Sequence, residues 1–572
     1  MTNLAHFGAD HHAIITYLKE QMPAADRTGK LSEVSEAGYY FYNHTATKWQ
    51  KFGGSGEQDL RAVETTGYPG SYNHLTKDAG IGGNGTSLGE GGGNIGIGQE
   101  TFHFANSSDM QGNQNIGIGV APFQFLNGAT MSSTGNIGIG AIIYSLYHGG
   151  SMSGGGYNIG MGMNIYTSQK TNAQFIGGYN TSIGSNLFNL QNGDFTGQEN
   201  IGLGQELYSM RSGNMGGNNN IGIGKRIYTL NKTTGAVFSG GSNTAIGNSI
   251  FSLYNGDLVG YNNIGMGNGL YGIISGNMNG ASNIGIGSNA YYIANGDMAT
   301  NANNNIALGN SIYGLISNNG FTFSGAGNIG IGNSLYRMTL GGITGSRNIG
   351  MGDNTFNVLS GDLSGNDNTG IGNGTMYGGT GGISGTHNLA LGTQSMRAAK
   401  GITGNNNIGL GLFAMTAAGK ITGTDNIAIG QSTLNTTSNN DISGSYNIGI
   451  GNHALYEDMV KGNANIHIGN NTVGTPVLGE LNKVVAIGNE IVGLSTTTTY
   501  SNVILLGNNH GGDAPKIGMG TYKPQAKLDV NGDIRVGNEN KSCTSANEGS
   551  IRYVSASKKF QGCDGSNWIN LN

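Results

Sequence analysis

The chain has 572 residues, and only 10% of them are charged. The residue types that do covalent chemistry are thinly spread. Paired acids recur at no fixed spacing, and no nucleophile stands in a pattern that would supply it with a base. Many Gly-x-Gly matches occur, but their strand-like context with no long helix following does not suit a nucleotide phosphate. No P-loop and no Cys/His zinc spacing is found. Three residue types recur instead, namely asparagine, an aromatic and glycine, and their chemistry is hydrogen bonding, stacking and close backbone approach. This is not the pattern of an enzyme, and no cofactor is expected.

The asparagines recur most regularly. Nineteen of them, from Asn94 to Asn465, each open an Asn-Ile-Gly-Ile-Gly signature or a close variant, with a mean spacing of about 20.6 residues. Asn94, Asn115, Asn136, Asn220, Asn263, Asn283, Asn348 and Asn447 represent the column. Such residues could ligate ions. The better reading is a ladder of stacked amides that satisfies turn backbone from coil to coil.

Eight residues after each of the first thirteen anchors stands an aromatic, as at Tyr144, Tyr166, Tyr208, Tyr228, Tyr271, Tyr313, Tyr336 and Phe356. Further on, Met376, Met396, Met415, Leu434 and Leu455 take the slot. Exposed rings at that period could stack on sugars. Met and Leu replace a ring well in packing and poorly in stacking, so a core column is the reading we adopt, with the tyrosine hydroxyls needing a partner.

Two singular sites stand apart. His467 occupies a slot that is Gly or Ala in most units. If that face lined a threefold axis, three copies could hold an ion or a water there; otherwise it is a packed or solvated histidine. Cys543 and Cys563 are the only cysteines. A bond between them would close a loop of about 20 residues, worth roughly 3 kcal/mol in an oxidising compartment and absent in a reducing one.

These residues need elements to position them. Alternation of large apolar residues with glycine, as in Asn348-Ile349-Gly350-Met351-Gly352, predicts a strand with the isoleucines turned inward and a glycine face that another chain could approach. A second extended segment is expected near Gly361-Asp362-Leu363-Ser364-Gly365. Between the two, Asn333 to Met338 and Gln205 to Met210 suit about one helical turn. The chain is therefore predicted to be all-β, a parallel β-roll or β-solenoid of about 20-residue coils, with small β-rich caps.

Length and composition agree with that reading. A single compact core does not reach 572 residues, whereas each coil of a solenoid needs only its neighbours. Glycine, at 108 residues, lacks collagen's every-third spacing. Periodic apolar residues argue against disorder. The net charge of −5 and the lack of a basic stripe make nucleic acid an unsuitable partner. No apolar run reaches the 18 or so residues of a membrane span.

Four segments follow. Residues 1–53 hold an expected helix over 9–22, with Ile14, Ile15, Leu18 and Met22 on one face, then a hairpin from Gly38 to Trp49. The helix suits packing on the shaft or attachment to a larger assembly; His6, Asp10 and His11 are accounted for by that helical spacing rather than by a metal. Residues 54–93 form a glycine-rich linker or irregular coils, and 94–520 form the shaft. Residues 521–572 form a small β domain, in which Asn531-Gly532 is a hairpin turn signal. Both tryptophans lie in the flanking segments, which are expected to cap the array's open edges. Asp10, His11 and His12 stand where a secretory signal would be apolar, so none is read.

The variants Asn243-Thr244-Ala245-Ile246-Gly247, Asn305-Ile306-Ala307-Leu308-Gly309 and Asn426-Ile427-Ala428-Ile429-Gly430 resemble the head repeats of trimeric autotransporter adhesins. The likeness covers about 400 residues. Related repeats occur in phage tail fibres, and Leu528 to Val536 resembles sequences near the distal domains of such fibres. The resemblance implies left-handed parallel β-rolls, three chains packed together through small residues, and attachment to a cell surface. Two departures count. The coils are longer than the family's, so connectors should bulge from one side, and neither a signal peptide nor a C-terminal barrel segment is read. A homotrimeric fibre of a phage or phage-like particle fits those features. Such a fibre, extracellular or on a virion, docks through its N-terminus to a baseplate or tail component and binds a glycan or protein receptor. A surface filament and a polysaccharide-cleaving tailspike are the alternatives. Roughly 20 coils at about 4.8 Å predict a shaft on the order of 100 Å.

Overall fold

The computed structural model describes residues 15–18, 25, 28–31, 34, 38–43, 48–51, 61–64 and 72–75, and the strand and turn segments of the coils between 93 and 316. It further describes 322–471 except 437–438 and 457–460, then 482–489, 501–506, and 516–571 except 522, 538 and 539. These residues form an all-β parallel solenoid with coils of roughly 20 residues. Its first side is a ladder of parallel strands in unbroken register, each signature on the next. Ile329–Asn333, for example, pairs with Ile349–Asp353, so that Ile329 faces Ile349 and Gly330 faces Gly350. The ladder runs from Tyr72–Leu75, through Ile95–Ile97, to Ser501–Leu506. Within the segment 54–93, Arg61–Glu64 and Tyr72–Leu75 make an antiparallel pair whose second strand joins that ladder.

Two narrower ladders close the coil. The expected second segment is present, with Phe323, Ile343, Leu363, Ile383, Ile402, Ile421 and Ile442 bridging in sequence. Another ladder, not anticipated, lies just beyond the aromatic slot, where Leu315, Met338 and Val358 bridge in turn. Much of the expected connector bulge is therefore itself a side of the coil. The single helical turn is also corrected. Ser334 and Tyr336 lie in the left-handed region at φ 55° and 50°, and residues 334–336 form a turn between two strands. Apolar spacing there reflects a corner that drops Leu335 and Tyr336 into the interior, where both are buried. Of Gln205 to Met210, only Gln205 lies within the described residues.

The orientation of the first side also differs from expectation. The isoleucines point outward and the first glycine of each signature points in. In Ile349–Asp353 the central Met351 is exposed while Gly350 is buried. The interior explains this inversion. A Cβ on Gly350 would stand 3.0 to 3.2 Å from Leu335, Phe356 and Tyr336, because the rings already fill that space. Only a very small side chain fits well, and alanine takes the slot at Ala245, Ala307, Ala390 and Ala428. The second glycine answers a different need. Gly352 has φ 118°, and a Cβ there would lie 2.4 Å from the Gly372 carbonyl oxygen of the next coil. Both glycines serve the chain's own coil rather than a neighbouring chain.

At the N-terminal end the described part of the expected helix, Ile15–Leu18, is a strand. Ile15–Leu18 pairs antiparallel with Gly38–Asn43, which pairs in turn with Lys48–Lys51 as the expected hairpin. β-branched and aromatic residues at 15–17 favour this edge pairing over a helix, and Leu18 packs with Val34, Tyr40 and Trp49. His6, Asp10 and His11 lie outside the described residues. At the other end, Ile551–Val554, Lys559–Cys563 and Trp568–Asn570 form an antiparallel sheet. The Asn531-Gly532 hairpin does not form. Leu528–Val530 pairs in parallel with the upstream Ile517–Met519, and Asn531 donates its N–H to the Met519 carbonyl, so residues 533–537 carry no return strand.

The two glycines make a paired test. Gly350→Ala should shift the denaturation midpoint little, whereas Gly352→Ala should cost more than about 2 kcal/mol through a positive φ and a backbone clash; chemical denaturation of both variants checks it.

Candidate functional site

Three columns run along the coil axis, and each is set by one slot of the signature. The first is the asparagine column, which is buried throughout. Each side-chain oxygen accepts the backbone N–H of the next coil's asparagine, at 2.8 to 3.0 Å from Asn94 to Asn465. The amide group then reaches a carbonyl beside it, as Asn348 Nδ2 does with Gly365 O at 2.8 Å and Asn328 Oδ1 at 3.1 Å. Donors and acceptors at this corner are thus matched within the chain itself. The column ends where Val484 N–H donates to Asn465 Oδ1 at 3.0 Å.

The second is the ring column. Tyr291, Tyr313, Tyr336 and Phe356 are buried, with centroids 5.0, 4.7 and 4.9 Å apart in succession. The hydroxyls have their partners: Tyr336 Oη lies 2.7 Å from the Asn348 carbonyl and 2.9 Å from that of Ile329. Burial pushes the phenols of Tyr313 and Tyr336 well above the ordinary range, and for Tyr313 its neighbours Tyr336 and Tyr291 add to the effect. Tyr144, Tyr166, Tyr208, Tyr228 and Tyr271 lie outside the described residues. Met376, Met396, Met415, Leu434 and Leu455 occupy the slot below Phe356 and are likewise buried.

His467 sits in the inward slot, paired across the ladder with Gly449 and Ala486 and 1% exposed. It therefore faces the interior of its own coil, because the side chain at this slot points where the rings point, and it does not reach an axis between chains. Among the described residues no group of three His, Cys, Asp or Glu is placed to hold a metal. Cys543 and Cys563 are joined, with Cα atoms 5.3 Å apart.

The third column is the outward apolar face, which the sequence reading assigned to the interior. Met161, Ile183, Ile223, Met266, Ile286, Met351, Ile371, Ile429, Ile450, Ile468 and Ile487 are each 36 to 42% exposed and stack in register along one side. A signal for this orientation was present. Thr181, Thr244 and Thr369 replace isoleucine at the outward slot, while the supposed glycine face accepts Ala but rarely anything larger. Beside this face runs a mostly polar column in the left-handed region, at the residue before each asparagine, which also carries the exposed rings of Tyr157, Tyr179 and Tyr446. There Arg347 makes a bidentate pair with Asp367 at 2.6 and 2.7 Å, and His387 approaches the same carboxylate at 3.6 Å. Arg347 holds the Asp367 carboxyl below its usual range, an exposed pairing of small consequence for stability.

The geometry supplies a buried, hydrogen-bonded column and one long apolar face. No helix among the described residues is long and apolar enough to cross a membrane. No protein-family model matches the sequence, and no curated protein matches it.

Two measurements test the buried columns. Asn348→Ala strands the Asn368 N–H and the Gly365 carbonyl, and should cost about 2 to 4 kcal/mol in denaturation experiments. The buried phenols are neutral when folded and have raised pKa values, so their contribution to stability is complete below pH 10 and is lost as the pH rises beyond it. Ultraviolet titration should show these phenolates appearing together with loss of the β-sheet circular dichroism signal, not before it.

Proposed function

We propose that this chain is a non-enzymatic fibre or adhesin protein that assembles as a homotrimer and attaches a phage or phage-like particle to a cell-surface glycan or protein. The observation that carries the reading is the outward apolar face. Eleven of its residues are 36 to 42% exposed and most of the others are partly exposed, so the face amounts to on the order of 1,000 Å² or more per chain. Monomeric proteins rarely expose a patch of more than a few hundred Å², and stable interfaces begin near 1,000 Å².

A second and a third copy are the partners that fit. The face has the period of the coil along its whole length, so only another surface with the same period matches it in register. The chain itself is such a surface. Three chains meeting on this face turn their remaining two sides outward, where the polar columns and the corners carry recognition. Weak contacts on three equivalent surfaces then act together. The N-terminal strand and hairpin serve as the docking end for a baseplate or tail component. The fibre works outside the cell or on the virion surface.

Sedimentation of the full chain should give three protomers per particle. The double variant Met351→Glu, Ile371→Glu places charges on the face at already exposed positions and should release folded monomer or dimer. A wild-type monomer at micromolar concentration would sink the trimer and leave the apolar face unexplained.

A further inference from the structure

The glycines of the signature are explained by the coil, but Gly314 is not. It stands nine residues after Asn305, on the corner between the first side and the next ladder; its own backbone is buried, while Arg337 and Arg397 at the same slot are exposed. In neighbouring coils the same slot carries Tyr292, Arg337, Asn357, Tyr377 and Arg397. The fold does not require glycine there. Gly314 is absent from the positive-φ positions, and a Cβ on it would meet only the Ser311 carbonyl oxygen, at 3.9 Å. The missing side chain opens a cavity of about 300 Å³ lined by Asn289, Tyr292, Ser311, Ser334 and Arg337.

The same column shows what happens when no gap is left. Tyr377 and Arg397 occupy adjacent coils, and the guanidinium closes over the ring at 4.9 Å from its centroid. Tyr292 and Arg337 are the same two residue types two coils apart, roughly 10 Å by the strand spacing. That separation admits one flat ring in van der Waals contact on both sides, which needs roughly 7 to 8 Å. Arg337 is exposed and makes no ion pair among the described residues. The inner wall is hydroxyl-rich, since Ser311 and Ser334 both turn through the left-handed region beside the side chains of Asn310 and Asn333.

We propose that this notch binds a carboxylated sugar ring of the uronate or sialate class. The Tyr292 ring takes the apolar face of the sugar, and Ser311, Ser334 and Asn289 take its hydroxyls. The Arg337 fork takes the carboxylate by paired charge-assisted hydrogen bonds. A neutral sugar leaves the guanidinium without its anion, so the site discriminates by charge. The cavity lies at the low end of ligand-site volumes and holds one ring rather than a long segment. Binding at one notch is weak, and three copies on a trimer raise it.

The proposal rests on the attachment reading and names the chemistry of its receptor. Calorimetric titration of the full-length protein with a glucuronate-containing oligosaccharide and with its neutral glucose counterpart tests it. Wild type should prefer the acidic sugar by at least about tenfold. Arg337→Gln should bring the two affinities together. Gly314→Tyr, which restores the side chain of a neighbouring coil, should weaken the acidic sugar by at least about tenfold while leaving the circular dichroism spectrum unchanged. Equal affinity for both sugars in wild type, or undiminished binding by Gly314→Tyr, overturns the notch. If Gly314→Tyr still attaches to target cells as wild type does, the notch alone falls; if wild type attaches to no cell surface, the attachment reading falls with it.

Discussion

The interior of each coil is about one side chain deep at the level of the rings, and that constraint determines most of the rest. Parallel strands repeat at about 4.8 Å, and the buried rings follow one another at 4.7 to 5.0 Å, so one ring per coil fills the interior without a gap. With the ring in place, the strand opposite it has no room for a large side chain on its inner face. Glycine or alanine follows at that slot, and the large residues of the strand must point the other way. An outward row of isoleucine and methionine is thus a consequence of inward tyrosine and phenylalanine.

The asparagine column solves a separate difficulty. A tight corner leaves backbone N–H and C=O groups without strand partners, and inside a dry coil each would be costly. An amide carries both an acceptor and donors, and stacked at the coil spacing it can serve the corner above and below at once. Asn348 does this, accepting from the Asn368 N–H and donating toward Asn328 and Gly365. Aspartate could not donate, and serine could not reach both neighbours. The requirement repeats in every coil, which is why one residue type persists from Asn94 to Asn465.

The period, the parallel stacking and the two flanking tryptophan elements were legible because each leaves a mark at fixed spacing. Facing was less legible, since alternation tells which residues share a face and not which face is inside. Glycine opposite isoleucine reads as a stripped surface until the ring eight residues after the asparagine is given its volume. The ladder through Leu315, Met338 and Val358 consists of single bridges and two-residue strands, too short for a period-2 pattern to show. At Ile15–Leu18 four residues fit a helix face or a strand equally, and only the aromatic edge at Gly38–Asn43 decides between them. Asn531-Gly532 failed as a hairpin signal because Leu528–Val530 found its partner upstream. The notch at Gly314 is visible in sequence only once its slot is known to lie on a corner.

The change along the shaft follows from the same interior. Phe356 is the last aromatic of its column, and in the next six coils the first-side strand is three residues, as in Thr369–Ile371, against five in Ile349–Asp353. A methionine there fills less width than a ring, so the chain can turn sooner. It also lacks the hydroxyl with which Tyr336 reaches strand carbonyls. The residue just before the slot changes in compensation. Ile312 and Leu335 give way to Thr355, Thr375 and Ser395, whose hydroxyls donate to the carbonyls of Gly372, Gly392 and Gly409 in the following coil. A buried hydroxyl is thereby kept at Thr355, Thr375, Ser395 and Thr433, one residue from its earlier position, while Ala414 and Ala454 fill the same place in other coils, and the register of the first side is not broken.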